Sequence, residues 1–190
     1  MDTGSPVLQG LELDRERRLV ERARAGDGRA FAELVRPHVA MLLRVAARAA
    51  RDPGIAEDAV QEALDIAARE LDRYQPGTSV RAWLARITAT RAMTLVRGES
   101  RRRIREEVAE APAAIATPDA VLQARQLADR IDAVLQALPE KRRIAAMLRL
   151  DGGMDYAEIA EAIDSTEASA RALVHLAVKA LREGLAEETR

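Results

Sequence analysis

Residues 155–182 read DYAEIAEAIDSTEASARALVHLAVKALR and fix the architecture of the chain's second half. Asp155 and Glu158 have the spacing of a capping box, so a short helix is predicted to begin just after Asp155. A three-residue turn at 164–166 precedes apolar residues that recur at helical spacing over 167–182. This pattern fits either a helix-turn-helix, whose second helix enters the DNA major groove, or an ordinary helical hairpin.

The rest of the chain also has the periodicity of helices, with no alternation typical of strands. Aromatic residues make up only 2% of its 190 residues, which argues against a β-sandwich or a barrel. Turn signals rich in Pro and Gly, at 51–54 and 75–79, separate the periodic segments. The other predicted helices are 14–25, a short one capped by Asp27, 39–50, 55–71, 80–97, 121–138 and 139–150.

An acidic segment at 106–118 divides the chain. It contains Pro112, Pro118 and several alanines, but no basic residue and little amphipathic order. These properties predict a flexible linker between a first helical domain at 10–105 and a second at 119–188. The predicted fold is therefore all-α, with two small helical domains and the helix-turn-helix in the second.

The composition excludes several kinds of site. The chain has no cysteine, so disulfides, thiolate metal sites and a cysteine nucleophile are excluded. It also lacks a Gly-rich phosphate loop, a histidine-containing acid/base cluster and a pair of metal ligands. We therefore expect no enzymatic activity, no cofactor, no metal and no small-molecule substrate. His38 and His175 are expected to be surface or partly buried side chains.

Hydropathy gives no sign of a membrane segment. No apolar run approaches the roughly 20 residues that span a bilayer. Residues 1–10 lack the basic end and apolar stretch of a secretory signal. The sequence therefore predicts a soluble, cytoplasmic protein that does not span a membrane.

Positive charge is concentrated in one stretch of a chain whose net charge is only −1. Residues 80–105 contain eight arginines and a single acid, Glu99. Clustered arginines suit a polyanion, because each phosphate that they neutralise releases condensed counterions. The same cluster also fits a solvated helix end, where cations are favourable. Charge alone leaves both interpretations open.

Two sets of motifs resemble one protein family. AEDAVQE at 56–62 and RAWLARI at 81–87 resemble the second conserved region of bacterial sigma factors. Three further motifs resemble the fourth conserved region of these factors: LPEKRR at 138–143, YAEIA at 156–160 and KALR at 179–182. The order, the spacing and the missing intermediate domain are similar to the extracytoplasmic-function (ECF) group of the sigma-70 family.

The resemblance implies a transcription initiation factor that binds core RNA polymerase, through its clamp helices and flap. The polymerase-binding candidates are Glu57, Asp58, Gln61, Glu62 and Asp65. The last four form one polar stripe of a helix, opposite an apolar face, and suit charge-assisted bonds to a basic partner. A solvated helix face is the structural alternative. Metal ligation is disfavoured because no histidine joins these acids.

The helix at 80–97 corresponds to the family's reader of the upstream-ten promoter element, which also takes part in strand opening. The candidates for DNA binding in and after it are Arg81, Trp83, Arg86, Thr90, Arg91, Arg97, Arg101, Arg102 and Arg103. Trp83 has either a base-stacking or a core role, and the core role is favoured. Thr90 stands where family members commonly have Asn, so an amide that could read a base is missing.

The last helix departs further from the family pattern. Its candidates for DNA binding are Thr166, Ser169, Arg171, His175, Lys179 and Arg182. Its outward side is predicted to include Val174 and Val178, with Leu173 and Leu176 facing inward. Residues 139–190 contain eight basic and ten acidic residues, so their electrostatic attraction to DNA is weak. Exposed valines suit a protein interface better than a DNA interface.

The sequence is therefore consistent with two functions. The favoured one is a sigma factor that recognises and melts promoters, with an anti-sigma factor as its expected partner. The alternative is a sigma-like interaction module that sequesters an anti-sigma factor without reading DNA. We expect the unbound chain to be closed or covered, because the apolar faces of its domains need cover. The arginines between positions 81 and 105 are expected to form one exposed cationic surface.

Overall fold

Nine α-helices and two 3₁₀ turns build the part of the chain that the computed structural model describes, residues 6–50, 52–75, 78–106 and 119–186. The helices are α1 Pro6–Arg24, α2 Gly28–Val35, α3 Val39–Ala50, α4 Pro53–Glu70, α5 Val80–Glu106, α6 Asp119–Ala137, α7 Glu140–Leu150, α8 Tyr156–Ala162 and α9 Glu167–Ala186. The 3₁₀ turns are Arg36–His38 and Leu71–Arg73. The predicted all-α class is confirmed.

The first domain, α1 to α5, is organised by helices α3, α4 and α5, which pack against one another. Their contact faces are rich in alanine: Ala46, Ala59, Ala85 and Ala89 are fully buried. Small side chains let helix backbones approach closely, so α5 is held firmly along the side of α4. This packing places the polar stripe of α4 beside the arginine-rich helix.

Local capping signals in the sequence correspond to real caps. The Asp27 carboxylate accepts hydrogen bonds from the backbone N–H groups of Arg29 and Ala30 and starts α2. Asp52 caps α4 in the same way, by accepting a bond from the N–H of Ile55 at 2.9 Å. Gly26, just before the Asp27 cap, has φ +91°, a conformation that glycine adopts without strain.

Helices α1 and α5 extend well beyond their predicted ends, and α9 continues to Ala186 instead of ending at residue 182. Helix α1 begins at Pro6 instead of residue 14, and α5 continues to Glu106 instead of ending near Arg97. The predicted end directly precedes Gly98, but one glycine inside a helix costs only about 1 kcal/mol. The residues after it are mostly Arg and Glu, which are good helix formers. The predicted linker therefore begins one residue later at the earliest, and residues 107–118 lie outside the described part of the chain.

The second domain, α6 to α9, contains the predicted helix-turn-helix in α8 and α9. The capping box is present: the Asp155 carboxylate accepts from the N–H of Glu158 at 2.8 Å, and the Glu158 carboxylate accepts from the N–H of Asp155 at 3.0 Å. In the turn, Asp164 has φ +50°, a left-handed conformation that Asp tolerates better than most residues. Helices α6 and α7 both pack on α9.

The predicted inward face of α9 is wrong at two positions. Val174 is buried, with 4% of its surface exposed, while Leu176 is 42% exposed. Both residues fit an apolar stripe in the sequence, and packing decides between them. Val174 joins the buried cluster that contains Ile144, Met147 and Ile159 from α7 and α8. The exposed valine that suggested a protein interface is therefore a core residue, and Val178 is half-buried.

The two domains contact each other directly. Helix α5 packs against α7 and α8, and α3 also touches α7. Buried residues from both domains form one continuous apolar cluster, in which Val45 and Met93 join Met147 and Leu148. The two domains of the described chain are thus closed on each other, with apolar faces of both domains covered by this contact.

Candidate polymerase and nucleic-acid interfaces

Helix α4 presents the predicted polar stripe to solvent. Glu57, Asp58, Gln61 and Asp65 are exposed. The opposite face, which includes Ala59, is buried against the rest of the first domain. Three carboxylates and an amide therefore share one rigid, accessible surface that is suited to basic partner residues.

Glu62, one of the four residues of the stripe, is engaged within the domain. It is half-buried and forms an ion pair with Nε of Arg91 on α5. Both residues were predicted to bind separate partners, Glu62 the polymerase and Arg91 the DNA. Their pairing places the two candidate interfaces side by side on adjacent helices.

The beginning of α5 is fixed by a set of hydrogen bonds in the segment before it. Arg24 of α1 donates to the carbonyl oxygen of Leu71 at 3.1 Å and 3.2 Å, and to the carbonyl oxygen of Tyr74. The Tyr74 hydroxyl donates to the carbonyl oxygen of Thr78. Burial raises the pKa of Tyr74 to about 12. Ser79 Oγ accepts from the N–H of Ala82 at 3.1 Å and caps the helix.

Trp83 lies at the edge of the core, beside a cleft. It is half-buried and packs against Tyr74, with ring centroids 5.3 Å apart and planes inclined by 48°. The cleft has a volume of about 380 Å³ and separates the start of α5 from α8. Arg86 lines it from α5, and Glu161 and Asp164 line it from the second domain. Trp83 thus has the packing expected of a core residue while one side borders the cleft.

The expectation of one exposed cationic surface is wrong for the side chains that the structure describes. Arg86 is exposed, as is Thr90. Arg81, however, is paired with Glu158 of the second domain, Arg91 with Glu62, and Arg97 lies 3.7 Å from Glu140. The physical reason is that acids of neighbouring helices neutralise these guanidinium groups in the closed arrangement. The side chains of Arg101, Arg102 and Arg103 lie outside the described residues.

Most candidates on and before α9 are accessible. The exposed candidates are Thr166, Arg171, His175, Lys179 and Arg182. Ser169, in the first turn of the helix, is half-buried. Two of the cations have partners in their own helix, because Arg171 binds Glu167 at 2.9 Å and Lys179 lies 3.7 Å from Glu183. The Arg171 guanidinium also lies 4.7 Å from the ring centroid of Tyr156. The cationic side of α9 is partly neutralised, in keeping with its weak basicity.

The two histidines have the surroundings expected of them. His175 is exposed, and His38 is half-buried. Burial lowers the pKa of His38 from its ordinary 6.5, and the positive charge of Arg81 adds to this effect. Across the described ranges of the chain, no group of three or more acidic or histidine residues is arranged to hold a metal ion.

Sequence reasoning did not identify the contacts of Asp151 and Arg143. Asp151 accepts from Nε of Arg48 at 3.0 Å, and its carbonyl oxygen accepts from Nε of Arg44 at 3.2 Å. Burial raises the pKa of the Asp151 carboxyl above its ordinary range. Arg143 is buried and donates to carbonyl oxygens at the end of α6. The two Asp151 contacts join residues more than 100 positions apart, so no local pattern indicates them.

Comparison with protein families matches both domains. Sigma-70 region 2 matches residues 34–102, which include α4 and most of α5. Sigma-70 region 4 matches residues 128–181, which include the helix-turn-helix. Together the two models cover more than half of the chain, in the order that the motifs indicate. None of the described helices is long and apolar enough to cross a membrane.

Curated relatives point to the same family. The ECF RNA polymerase sigma-E factor of Escherichia coli K12 is 31% identical over 175 residues, which are 86% of this chain and 90% of that protein. The RNA polymerase sigma-H factor of Pseudomonas aeruginosa is 29% identical, with 92% and 96% covered. The ECF sigma factor SigE of Mycolicibacterium smegmatis is 31% identical over 83% of this chain, which spans only 62% of that relative's length.

Solved structures share the fold. CnrH, in complex with the cytosolic domain of CnrY, has a TM-score of 0.65 and 24% identity, with 92% of this chain and 99% of that chain covered. The sigma factor RpoE of Bartonella quintana, in complex with the anti-sigma factor NepR, has a TM-score of 0.55 and 22% identity, with 84% and 98% covered. Together with the matched regions and the curated relatives, these likenesses lead to one conclusion: the chain belongs to the ECF family of RNA polymerase sigma factors, which are regulatory factors of transcription initiation.

Proposed function

We propose that this chain binds core RNA polymerase, directs it to specific promoters and helps to melt them. Helix α4 binds the polymerase clamp helices, α5 binds the opened promoter strand, and the helix-turn-helix binds promoter DNA and the polymerase flap. The observation that carries this proposal is the position of the exposed α4 stripe directly beside the arginine-rich α5. Two adjacent helices of one domain thus carry acids that suit a basic protein and arginines that suit a polyanion.

The domains work as separate units when polymerase is bound. The first extends over residues 10–106 and the second over 119–188, and the acidic linker at 107–118 follows a basic channel of the polymerase between them. The factor regulates initiation without catalysing a reaction, and it acts in the cytoplasm, where the promoters are. An anti-sigma factor is its partner when it is inactive, in line with the anti-sigma factor NepR that is bound to one of the similar solved structures.

A second function is a sigma-like module that sequesters an anti-sigma factor. The observation that favours it is the weak positive charge of α9, where Arg171 and Lys179 are paired with acids of their own helix. The exposed Leu176 on the same helix adds apolar surface for a protein partner. In this case polymerase binding and DNA binding are both absent from the purified chain.

Polymerase binding is tested by co-purification with core enzyme. We expect D58A/Q61A to weaken binding by about tenfold or more, since charge-assisted hydrogen bonds contribute about 1.5–3 kcal/mol each. The matched control is D14A/E21A, which removes two exposed acids of α1 in the same domain. Equal recovery of polymerase with both variants would contradict the docking role of α4.

DNA binding by the end of α5 is tested by salt dependence. We expect R101A/R102A/R103A to weaken promoter binding by the holoenzyme. The slope of log K against log salt should also fall by about 2–3, close to one for each phosphate that is no longer neutralised. The comparison variant is R15A/R18A/R29A, which removes three exposed arginines of α1 and α2. An unchanged slope in the first variant would remove these arginines from the DNA interface.

A further inference from the structure

The second domain carries three acids, in α8 and the turn after it, on the side that faces the start of α5. We call Glu158, Glu161 and Asp164 the acidic edge. Glu158 accepts two bonds from Nη1 of Arg81, at 2.5 Å and 2.6 Å, while Nη2 of Arg81 donates to the carbonyl oxygen of Gly152 at 2.7 Å. Both terminal nitrogens of the Arg81 guanidinium are thereby engaged by the second domain.

The other two acids extend this contact along the cleft. The Glu161 carboxylate accepts from the backbone N–H of Ser79 at 2.8 Å, directly before the first turn of α5. Asp164 lines the cleft together with Trp83 and Arg86. Two of the three acids thus bond to the start of α5, and the third borders the cleft beside its next arginine.

The carboxylates of Glu158 and Glu161 accept hydrogen bonds from the kinds of donor that commonly bind DNA phosphates. A guanidinium and a backbone N–H at the start of a helix are both common phosphate donors in protein–DNA interfaces. Arg81 and Glu158 have side chains only 29% and 24% exposed, so the pair is partly desolvated and screened less by salt than a surface pair. A DNA strand reaches Arg81 only after Glu158 has left.

A second set of contacts stabilises the same arrangement. Arg48 pairs with Asp151, whose side chain is 14% exposed, and Arg44 donates to the carbonyl oxygen of Asp151. The apolar cluster shared by both domains adds non-directional stability. The acidic edge is therefore held in place by contacts from α3 as well as from α5.

We propose that the acidic edge is an intramolecular competitor of promoter DNA for the start of α5. This inference rests on the proposed function, because it assigns a competitor to the same DNA-binding helix. In the free factor the second domain occupies Arg81 and the N–H of Ser79. When polymerase separates the domains, both donors become available. The excess of acidic residues in 139–190 is then explained in part, because the acidic edge supplies carboxylates that occupy the positions of DNA phosphates.

The test uses the 190-residue chain with the substitutions E158Q/E161Q. Glutamine at position 158 retains the acceptor of the capping box and removes the charge opposite Arg81. The matched control is D14N/E21Q, which changes the net charge equally through two exposed acids of α1. The chain has no cysteine, so spin labels on A68C and A172C, at exposed sites of the two domains, report the distance between them.

The second readout is the anisotropy of a fluorescein-labelled, mixed-sequence single-stranded DNA, measured with the free factor and with the holoenzyme. We expect E158Q/E161Q to lengthen and broaden the distance distribution of the free factor. Its affinity for the DNA should rise by about tenfold, the effect of roughly 1.4 kcal/mol. The control should change affinity less than about twofold, and neither variant should differ from wild type in the holoenzyme.

Two results would overturn the inference while leaving the proposed function intact. One is a distance distribution and a DNA affinity of E158Q/E161Q equal to those of the control, with wild type binding polymerase and DNA. The other is an equal gain of affinity in the free factor and in the holoenzyme, which would reflect net charge alone. Wild type that binds neither polymerase nor DNA would instead overturn the proposed function, and the inference with it.

Discussion

Arg143 is a charged residue that the second domain buries, with 9% of its surface exposed. Its guanidinium donates to the carbonyl oxygens of Gln136 at 2.7 Å and Leu138 at 3.0 Å, and to the Gln136 side chain. These carbonyl groups lie at the end of α6 and just beyond it, where helical partners are lacking. The arginine thus joins α7 to the end of α6, a structural role within the LPEKRR motif.

We expect R143A to lower the free energy of unfolding by about 2–4 kcal/mol, because the carbonyl groups lose their donor and a cavity remains. Urea denaturation followed by circular dichroism measures this change. R182A, at an exposed site of the same domain, should cost less than about 0.5 kcal/mol. Equal midpoints for the two variants would show that Arg143 has no such role.

His38 couples the stability of the fold to pH near neutrality. Its folded-state pKa is depressed below 6.5, first by burial and then by Arg81, while Glu158 opposes the shift. The unfolded chain therefore binds the proton more readily than the folded chain. The corresponding stability is fully present above pH 6.5 and is lost as the pH falls through the depressed folded-state value.

We expect the melting temperature of wild type to fall between about pH 7.5 and about pH 5.5, and that of H38Q to fall less over the same range. The comparison isolates His38 from carboxylates, which are common to both proteins. Parallel pH profiles for wild type and H38Q would contradict the depressed pKa. Differential scanning fluorimetry in buffers of constant ionic strength is sufficient for this test.

At the scale of elements, α5 determines where the candidate interfaces lie. It packs on α3 and α4 in its own domain and on α7 and α8 in the other. Gly98 lies inside this helix at an exposed site, and a Cβ added there meets nothing within 4 Å. Gly152, before α8, differs, because an added Cβ would lie 2.6 Å from the carbonyl oxygen of Leu148.

These two glycines predict opposite effects of alanine. G98A should raise the free energy of unfolding by about 0.5–1 kcal/mol, through helix propensity and the lower entropy of the unfolded chain. G152A should lower the free energy of unfolding, because the backbone at residue 152 must shift away from Leu148. This shift would also disturb the carbonyl group of residue 152, which accepts a hydrogen bond from Arg81. Chemical denaturation of both variants measures the signs. A destabilised G98A would show that α5 is bent or interrupted at this glycine.

Sequence reasoning succeeded where the determinant is local. Asp155 and Glu158, three residues apart, correctly predict where α8 begins, because they form a capping box. Asp27 predicts the beginning of α2 in the same way, as its N-cap. It failed for the end of α5, because a single glycine costs too little to stop a long helix. It also failed for Val174 and Leu176, since only the packing of α7 and α8 on α9 decides which residue is inside.

The candidate site shows the same division. The accessibility of the α4 stripe follows from helical periodicity: Asp58, Gln61 and Asp65 are exposed as predicted, and only the fourth residue, Glu62, is half-buried. The partners of Arg81, Arg91 and Arg48 were not predictable, because each ion pair joins residues distant in sequence. For the described side chains of residues 80–105, charge balance alone therefore overestimated the free positive charge.

At the scale of the whole molecule, the two domains form one closed body through α3, α5, α7 and α8. The surface predicted to bind polymerase remains open in this arrangement, since the α4 stripe is exposed. The start of the DNA helix is covered, since Arg81 is bound by the second domain. This asymmetry predicts an order of events in which polymerase binds first and promoter DNA second.

The central claim, that the chain initiates transcription, is tested most directly by run-off transcription with purified core RNA polymerase and a pool of promoter fragments. We predict discrete transcripts that require the wild-type chain and are strongly reduced with D58A/Q61A. No specific transcript above that of core enzyme alone, together with tight capture of an anti-sigma factor by the same preparation, would contradict the claim.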